Sequence, residues 1–351
     1  MYGILMSVAS LVESRKPRPT LGVMTVDIEV DTVWPLVLCV FITALCGIYL
    51  WEIAKSYRRR HRLDLAGIEG FVNPGASGVQ NHVDDKCYDA FYAKVYDPLV
   101  QPTARAGLET KVPLEWMEQE QKRSRGDIRV ADIGCGTGLQ VELFRQLGVR
   151  SVVGYDRSAA MIAEAKKRFP ENRSKEEGST LPETEFKVGD ATVATMASAD
   201  QFDLITMFYF TLYLIPEREK ALKNIYLWLA PGGVFCVHIV NKLKFDPVLE
   251  SASPFVGFSV QKYADERVTK SAVTFEEFEY TGDFQLHGSR GVYEEIFRFK
   301  DGGVRKHEQR VWMPNIDVMI DEIGSVGFKY AHHVDLTAIG YEYNYLFFFV
   351  K

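Results

Sequence analysis

The sequence predicts an α/β fold with a parallel sheet at its centre, and two observations carry this prediction. Between residues 128 and 240, short apolar runs alternate with helical segments, which is the pattern of βαβ units. After them, the stretch from Phe275 to Trp312 alternates apolar and polar residues in runs separated by glycine turns, as antiparallel hairpins do. A chain of 351 residues is long enough to bury a sizeable core.

The elements of the fold can be predicted in order along the chain. The parallel part holds five predicted strands: Ile128 to Ile133, Ser151 to Tyr155, Glu185 to Val188, Phe202 to Phe208 and Val234 to Val240. The helices predicted between them are Leu139 to Leu147, Ala159 to Phe169 and Glu217 to Leu229. A helix, Ile316 to Val326, and two strands, Tyr330 to Leu336 and Tyr345 to Val350, are predicted to close the chain.

The segment from Val33 to Trp51 departs from this globular pattern. Its nineteen residues carry no charge, and about 20 apolar residues are needed to cross a membrane as a helix. Basic residues follow the segment and acidic residues precede it, so the positive-inside rule places the C-terminal part in the cytosol. We therefore expect a single-pass membrane protein with a cytosolic C-terminal domain; the alternative is a buried core helix.

The expected domain organisation follows from these changes in composition. Residues 1–32 are predicted to be a flexible segment, 33–52 a transmembrane helix, and 53–82 a basic juxtamembrane segment and linker. Residues 83–351 form the predicted globular domain. It divides into a helical lid at 83–126, a ligand-binding core at 127–241, an insertion at 242–313, and a closing helix and strands at 314–351.

The charge distribution argues against nucleic acid as a partner. The first 62 residues are net +3 and the rest of the chain is net −9, and an acidic surface repels a polyanion. The local basic group Lys122, Arg123 and Arg125 is interpreted as a solvated helix end. The five cysteines have no metal-ligand spacing, so the sequence predicts no metal site and favours a reducing compartment.

The stretch VADIGCGTG, Val130 to Gly138, lies between the first predicted strand and the next helix. Glycines at such a turn let the backbone approach a ligand closely, with the helix N-terminus aimed at it. A dinucleotide fingerprint would need its third glycine at Leu139, and a P-loop would need a following Gly-Lys-Ser/Thr. The chain has neither, so a dinucleotide-dependent reductase is the disfavoured alternative.

DIGCGTG resembles the first motif of class I S-adenosylmethionine-dependent methyltransferases of the small-molecule type, and further motifs match in order. GYD ends the second strand, DRSAAM follows it, VGDA ends the third strand, QFDLITMFY forms the fourth, and LAPGG precedes the fifth. The resemblance implies a Rossmann-like seven-stranded sheet whose antiparallel last strand lies beside the fifth, and an antiparallel β insertion after the fifth strand. It also implies S-adenosyl-L-methionine as the cofactor.

The resemblance assigns a role to three carboxylates in these motifs. Asp156 is expected to bind the ribose hydroxyls, because a carboxylate can accept both protons of a cis-diol. Asp190 is expected near the adenine amino group, and Asp132 is expected to help hold the methionine amino group. For each, the alternative is a hydrogen bond within its own turn. The predicted cofactor-binding residues are Asp132, Gly134, Cys135, Gly136, Gly138, Asp156, Arg157, Met161, Gly189, Asp190, Ala191 and Met207.

Catalytic residues are harder to predict, because in-line transfer from a sulfonium depends mainly on alignment and on shielding from water. The candidates are Tyr92, Tyr96 and Asn241. Tyr88, Tyr92 and Tyr96 recur every four residues, so they share one helix face and either line the methyl site or dock the lid. His238 lies in an apolar strand and is interpreted as a core residue.

The expected function is methyl transfer to a small-molecule or membrane-associated, lipid-like acceptor. The alternative is a catalytically inactive protein that keeps the cofactor pocket and acts by interaction at the membrane. No sequence feature specifies the acceptor or an oligomeric state.

Overall fold

A computed structural model describes residues 30–60, 78–100, 103–170, 182–252, 261 and 264–351. The chain divides into two units at Tyr57 and Arg58. Most of helix α1, Val30–Arg60, belongs to the first unit, and the helix extends beyond the predicted segment 33–52 at both ends. Among the described residues, no helix combines the length and the apolar character needed to span a membrane, so the predicted transmembrane helix is not supported.

The second unit is built around a mixed seven-stranded sheet. Its strands are β2 (Arg129–Ile133), β3 (Ser151–Asp156), β4 (Glu183–Val188), β5 (Phe202–Met207), β6 (Leu229–Val240), β11 (Lys329–Asp335) and β12 (Asn344–Val350). Their order is β11-β12-β6-β5-β2-β3-β4. Strands β2 to β6 run parallel, whereas β12 pairs antiparallel with β6 from Asn344 opposite Val240 to Val350 opposite Val234. The expected antiparallel strand beside the fifth is therefore confirmed.

Helices connect the parallel strands close to where the sequence predicts them. They are α4 (Leu139–Gln146), α5 (Ala159–Arg168) and α6 (Arg218–Trp228), and α7 (Ile316–Ser325) precedes the closing strands. Ser158 caps α5, since its hydroxyl accepts a hydrogen bond from the Met161 amide at 3.1 Å. Trp228 is fully buried, and its indole N–H donates to the Ala194 carbonyl at 3.0 Å, so the one polar group of this side chain is satisfied.

A second sheet of five strands contains the predicted insertion. Its strands are β1 (Val79–Val83), β7 (Lys270–Thr274), β8 (Phe278–His287), β9 (Arg290–Phe299) and β10 (Val304–Trp312), in the order β1-β10-β9-β8-β7. The hairpins predicted for 275–312 are confirmed as antiparallel β8, β9 and β10. The prediction of a linker through residue 82 is wrong at its end, because β1 pairs with β10 there.

Two helices of the predicted lid, α2 (Ala90–Val100) and α3 (Thr103–Glu120), precede the first parallel strand. Pro98 lies inside α2 and does not end it. Phe91 of α2 packs edge-to-face on Phe297 with ring centroids 5.1 Å apart, and it belongs to one apolar cluster with Phe278 and Phe299 of the second sheet. These buried aromatic contacts hold α2 against the second sheet.

The two arginines of the basic group that follows α3 form ion pairs with carboxylates of the protein itself. Arg123 bonds Asp203 at 2.7 Å, and Arg125 holds both carboxylate oxygens of Glu118 at 2.8 Å. These two arginines therefore serve local ion pairs.

Candidate active site

A cavity of about 320 Å³ lies at the carboxyl ends of the parallel strands and reaches the second sheet. One wall, here called the loop side, consists of the segments after β2 to β5: residues 132–137, 156–158, 189–191 and 208–211. The opposite wall, called the network side, carries Tyr88, Tyr92, Tyr293, Glu295 and Gln309 from the lid and the second sheet. Carboxyl ends of parallel strands are where α/β sheets bind ligands.

The glycines after β2 form a tight turn against the rest of the loop side. Gly134 and Gly136 have φ of +75° and +53°. Residues with a Cβ are strained at such positive φ values, whereas glycine is not. A Cβ at Gly134 would lie 2.4 Å from the Thr211 methyl carbon. The Gly134 and Cys135 amides both donate to the Tyr155 carbonyl, at 2.7 and 3.0 Å, and this pins the turn to β3.

Asp156 ends β3 and is held by backbone amides. Its Oδ2 accepts from the Gly136 N–H at 3.0 Å and its Oδ1 accepts from the Ser158 N–H at 2.8 Å. Burial raises the pKa of Asp156, and these two bonds and the Arg157 charge only partly offset that rise. Each oxygen keeps a lone pair, so the carboxylate can still accept both protons of a diol.

Asp132 lies at the end of β2 and is 2% exposed. Its Oδ1 accepts a hydrogen bond from the Thr206 hydroxyl at 2.8 Å. Burial raises the pKa of Asp132 to about 7, and the charges of Glu109 and Asp156 add to the rise. A cation bound nearby would offset this cost, because an opposite charge favours the ionised form.

Asp190 follows β4 and makes its bonds within its own loop and with Arg157. Its Oδ1 accepts from both the amide and the hydroxyl of Thr192 at 2.8 Å, and Arg157 Nε lies 3.2 Å from its Oδ2. Burial acts to raise the pKa of Asp190, but these bonds and the guanidinium outweigh it and lower the pKa. Arg157 also bonds Asp85 at 2.7 Å, so it joins the lid to this loop.

The predicted cofactor residues divide by position. Those that line the cavity are Asp132, Gly134, Cys135, Gly136, Asp156, Arg157, Met161, Gly189, Asp190 and Ala191. Gly138 lies outside the cavity lining, because it begins α4 with φ +84° where a Cβ would meet the Phe186 ring at 2.7 Å. Met207 also lies outside, fully buried in the core. Packing against neighbouring elements accounts for both residues in this structure, and their role in cofactor binding stays a prediction.

Of the catalytic candidates, the two tyrosines line the cavity and Asn241 does not. The Asn241 side chain is turned into its own loop, where Oδ1 accepts from the Leu243 amide at 3.2 Å. His238 is 1% exposed and contacts Asn344 Oδ1 at 3.1 Å through Nε2. Burial lowers the pKa of His238 to about 3, which confirms its interpretation as a core residue.

The three lid tyrosines share one cavity wall, and all three line the cavity. Tyr92 makes edge-to-face contacts with Tyr88 at 5.5 Å and with Tyr96 at 5.9 Å. The Tyr96 ring faces the glycine turn, since a Cβ at Gly136 would lie 3.9 Å from it. Tyr88 and Tyr92 therefore both line the cavity and attach the lid, because Tyr88 bonds Gln309 and Tyr92 packs on Phe297 of the second sheet.

Sequence reasoning missed the polar side chains opposite the loop side. Glu295 is 1% exposed and accepts four hydrogen bonds, two on each carboxylate oxygen. Its partners are the hydroxyls of Tyr92 at 3.0 Å and Tyr280 at 2.9 Å on Oε1, and the His307 ring at 3.2 Å and the Gln309 amide at 2.9 Å on Oε2. This group is called the Glu295 network below.

Arg105 of α3 is a second cavity residue that the sequence does not single out. It is 3% exposed, its Nε lies 3.1 Å from Glu109 Oε1, and its guanidinium stacks on the Tyr209 ring at 4.1 Å. The stacking keeps the planar cation at the cavity wall beside the glycine turn.

Comparison with known families identifies the core of this unit. Residues 131–237 match the family model described as a methyltransferase domain. This part of the chain is similar to a methyltransferase domain. The match covers β3, β4 and β5 completely, parts of β2 and β6, and the segments between these strands, so the loop side belongs to the matched region. The cofactor of such a domain is S-adenosyl-L-methionine.

Curated relatives match this methyltransferase domain over short lengths. Trans-aconitate 2-methyltransferase of Variovorax paradoxus is 33% identical over 112 residues, which are 32% of this chain and 38% of that protein. A ubiquinone/menaquinone biosynthesis C-methyltransferase of Campylobacter jejuni is 27% identical over 118 residues, 32% of this chain and 44% of that protein. The chain thus spans about two fifths of the length of the curated relatives it matches.

Solved structures extend the likeness to most of the second unit. An S-adenosylmethionine-dependent methyltransferase from Clostridium acetobutylicum aligns with a TM-score of 0.53 at 16% identity, covering 75% of this chain and 98% of that one. The CcbJ methyltransferase from Streptomyces caelestis aligns with a TM-score of 0.53 at 14% identity, covering 75% and 96%. At these identities the likeness shows the fold of the methyltransferase domain.

Proposed function

We propose that the protein transfers a methyl group from S-adenosyl-L-methionine to a small-molecule acceptor bound between the loop side and the network side. The observation that carries the proposal is Asp156, half-buried at the end of β3 with one amide bond on each carboxylate oxygen. That arrangement orients the carboxylate and leaves it able to hold a ribose diol. The methyltransferase domain match supports the same cofactor.

The loop side fits this cofactor by its chemistry. Gly134 and Gly136 have no side chains, so the backbone of the turn can approach a ligand closely. Asp132 lies buried where a cationic amino group would favour its ionised form. Arg105 offers a desolvated cation suited to a carboxylate. When bound, S-adenosyl-L-methionine supplies an electrophilic methyl group on a sulfonium.

The residues of the chain contribute to the reaction by positioning and by excluding water. Tyr92 and Tyr96 place ring faces at the cavity, and ring faces attract a sulfonium cation. Phe210, Phe245 and Phe284 are among the apolar residues that line the same cavity. An acceptor held among these groups is aligned and shielded from solvent, which accounts for most of the rate gain in such a transfer.

The test measures ligand-dependent stability of the full chain. S-adenosyl-L-methionine is expected to raise the melting temperature, whereas nicotinamide dinucleotides leave it unchanged. Asp156→Ala is expected to abolish the shift, and the exposed Asp127→Ala serves as the matched control. No stabilisation of the wild type by S-adenosyl-L-methionine would refute the proposal.

A second arm of the same experiment separates an enzyme from an inactive binding protein. Incubation with methyl-labelled cofactor and fractionated cell extract is expected to label a small molecule in a manner that depends on Asp156. Binding of the cofactor with no labelled product in any fraction would favour the inactive alternative.

Membrane association and a lipid-like acceptor remain predictions from the sequence, resting on the uncharged stretch from Val33 to Trp51. The cytosolic orientation rests on the charges that flank this stretch. Carbonate extraction of the full chain from cells tests the attachment, and release into the supernatant would contradict it.

A further inference from the structure

The hydrogen-bond donors of the Glu295 network bond to other members of the same network. Tyr92 and Tyr280 donate their hydroxyl protons to Glu295, and Tyr88 donates to Gln309 Oε1 at 2.7 Å. Burial raises the pKa of Tyr92 well above its ordinary value, and the charge of Glu295 adds to this, so its hydroxyl stays protonated. The Tyr92 oxygen also accepts a long bond from Gln309 Nε2 at 3.5 Å. The lone pairs that remain on the hydroxyl oxygens of Tyr88 and Tyr92, which line the cavity, are therefore what the network offers to a ligand.

The proton on His307 can also be located from its two partners. Arg305 Nε donates to His307 Nε2 at 2.7 Å, so Nε2 is the bare acceptor nitrogen. Nδ1 then carries the proton and donates it to Glu295 Oε2. Glu295 thus accepts all four of its hydrogen bonds and donates none, so its carboxylate acts only as an acceptor.

The charge of Glu295 is not neutralised by a direct cation. No Lys or Arg among the described residues contacts Glu295, and the nearest such link, Arg305 through His307, is itself paired with Asp89 at 2.7 Å. Around the cavity the described lining carries six carboxylates against two guanidinium groups, those of Arg105 and Arg157. The Glu295 carboxylate is a buried negative charge, and the tyrosine hydroxyl oxygens next to it can still accept hydrogen bonds. Such a site favours a ligand with positive charge and N–H donors.

We propose that the methyl acceptor is a primary or secondary amine on an apolar body, held by the Glu295 network through its N–H groups. This inference rests on the proposed function and names its substrate class. The hydroxyl oxygens of Tyr88 and Tyr92 take the N–H hydrogens, and Glu295 behind them stabilises the positive charge. The apolar body lies among Leu214, Phe245, Phe284, Val311 and Met313, which line the same cavity.

The transfer balances in atoms and charge. A protonated amine first releases one proton to water, which exposes the nitrogen lone pair. The lone pair attacks the methyl carbon, the N–C bond forms as the C–S bond breaks, and the bonding pair stays on sulfur as a neutral thioether. The product is the methylated ammonium, which loses its proton to solvent or leaves charged.

The experiment measures binding to the full chain saturated with S-adenosylhomocysteine, so that recognition is read without turnover. Benzylamine, benzyl alcohol and benzoate are the probes, because they share an apolar body and differ in the polar group. By calorimetry the wild type is expected to bind benzylamine at least tenfold more tightly than benzyl alcohol, and benzoate most weakly. If the wild type binds benzylamine no more tightly than benzyl alcohol, the proposal is wrong.

Variants locate the preference in the network. Glu295→Gln is expected to reduce the amine-to-alcohol ratio to within threefold, while the exposed neighbour Glu294→Gln keeps it. Tyr92→Phe keeps the ring and removes one oxygen, so it is expected to weaken benzylamine several-fold even if Glu295→Gln does not fold. A full preference in a folded Glu295→Gln, or in Tyr92→Phe, contradicts the assignment. Failure of the wild type to bind S-adenosylhomocysteine would instead refute the proposed function.

Discussion

The loop side and the network side of the cavity are built from different parts of the chain and by different means. The loop side uses backbone: glycines at positive φ, amides that fix Asp156, and turns that end parallel strands. The network side uses side chains that are far apart in sequence, such as Tyr92 and Glu295, which are 203 residues apart. A backbone-built wall can be shared by many proteins with the same sheet, whereas a side-chain wall can change with the acceptor.

The largest expected effect comes from filling the glycine turn on the loop side. Gly134→Ala would put a Cβ 2.4 Å from the Thr211 methyl carbon at a φ of +75°, and the left-handed region alone costs about 1–2 kcal/mol. We expect the affinity for S-adenosyl-L-methionine, measured by calorimetry, to fall by at least tenfold. The benzylamine preference of the network side is expected to survive in any fraction that still binds cofactor.

Gly148→Ala is the matched control for this variant. Gly148 has a similar φ of +78° but nothing within 4 Å of its Cβ position, so it pays the conformational cost without the contact. We expect it to lower the melting temperature and leave cofactor affinity unchanged. Adding Thr211→Ala to Gly134→Ala is expected to restore part of the affinity. Equal losses in both glycine variants would mean that the Thr211 contact is irrelevant.

The same contrast explains what the sequence could predict. The bounds of the parallel strands agree with prediction within a few residues, because apolar runs and glycine turns are local signals. The exception is β6, which begins at Leu229, five residues before its predicted start. Asp156 and the glycine turn were accessible for the same reason. Strand β1 was missed because VQNHV is polar, and its place in the sheet depends on β10, which lies more than 200 residues away.

The Glu295 network escaped prediction because its members meet only through tertiary register. A signal was present: Tyr293, Glu295 and Phe297 alternate on one face of β9, so a charge falls among apolar neighbours on an inward face. A buried carboxylate on such a face needs partners, and they come from α2, β8 and β10. None of these partners can be named from β9 alone.

The second prediction concerns pH and sharpens the comparison, because Asp132 on the loop side has a pKa raised to near neutrality. The pKa of Asp132 rises from 3.8 to about 7 on folding, so folding favours its protonated form. Its contribution to stability is therefore fully present below pH 3.8 and is lost as pH rises to about 7. The loss is about 4 kcal/mol at most, since one pKa unit corresponds to ~1.4 kcal/mol.

Asp132→Asn removes this titration and keeps an oxygen for the Thr206 hydroxyl. In melting curves from pH 5 to 8.5, the wild type is expected to lose stability relative to Asp132→Asn up to about pH 7 and then run parallel to it. The exposed Asp127→Asn serves as the control and is expected to follow the wild type throughout. Saturating S-adenosyl-L-methionine should reduce the difference between wild type and Asp132→Asn, because a bound cation stabilises the ionised carboxylate. A difference that does not vary with pH would show that Asp132 does not titrate in this range, and the loop side would then hold its ligand with fixed charges alone.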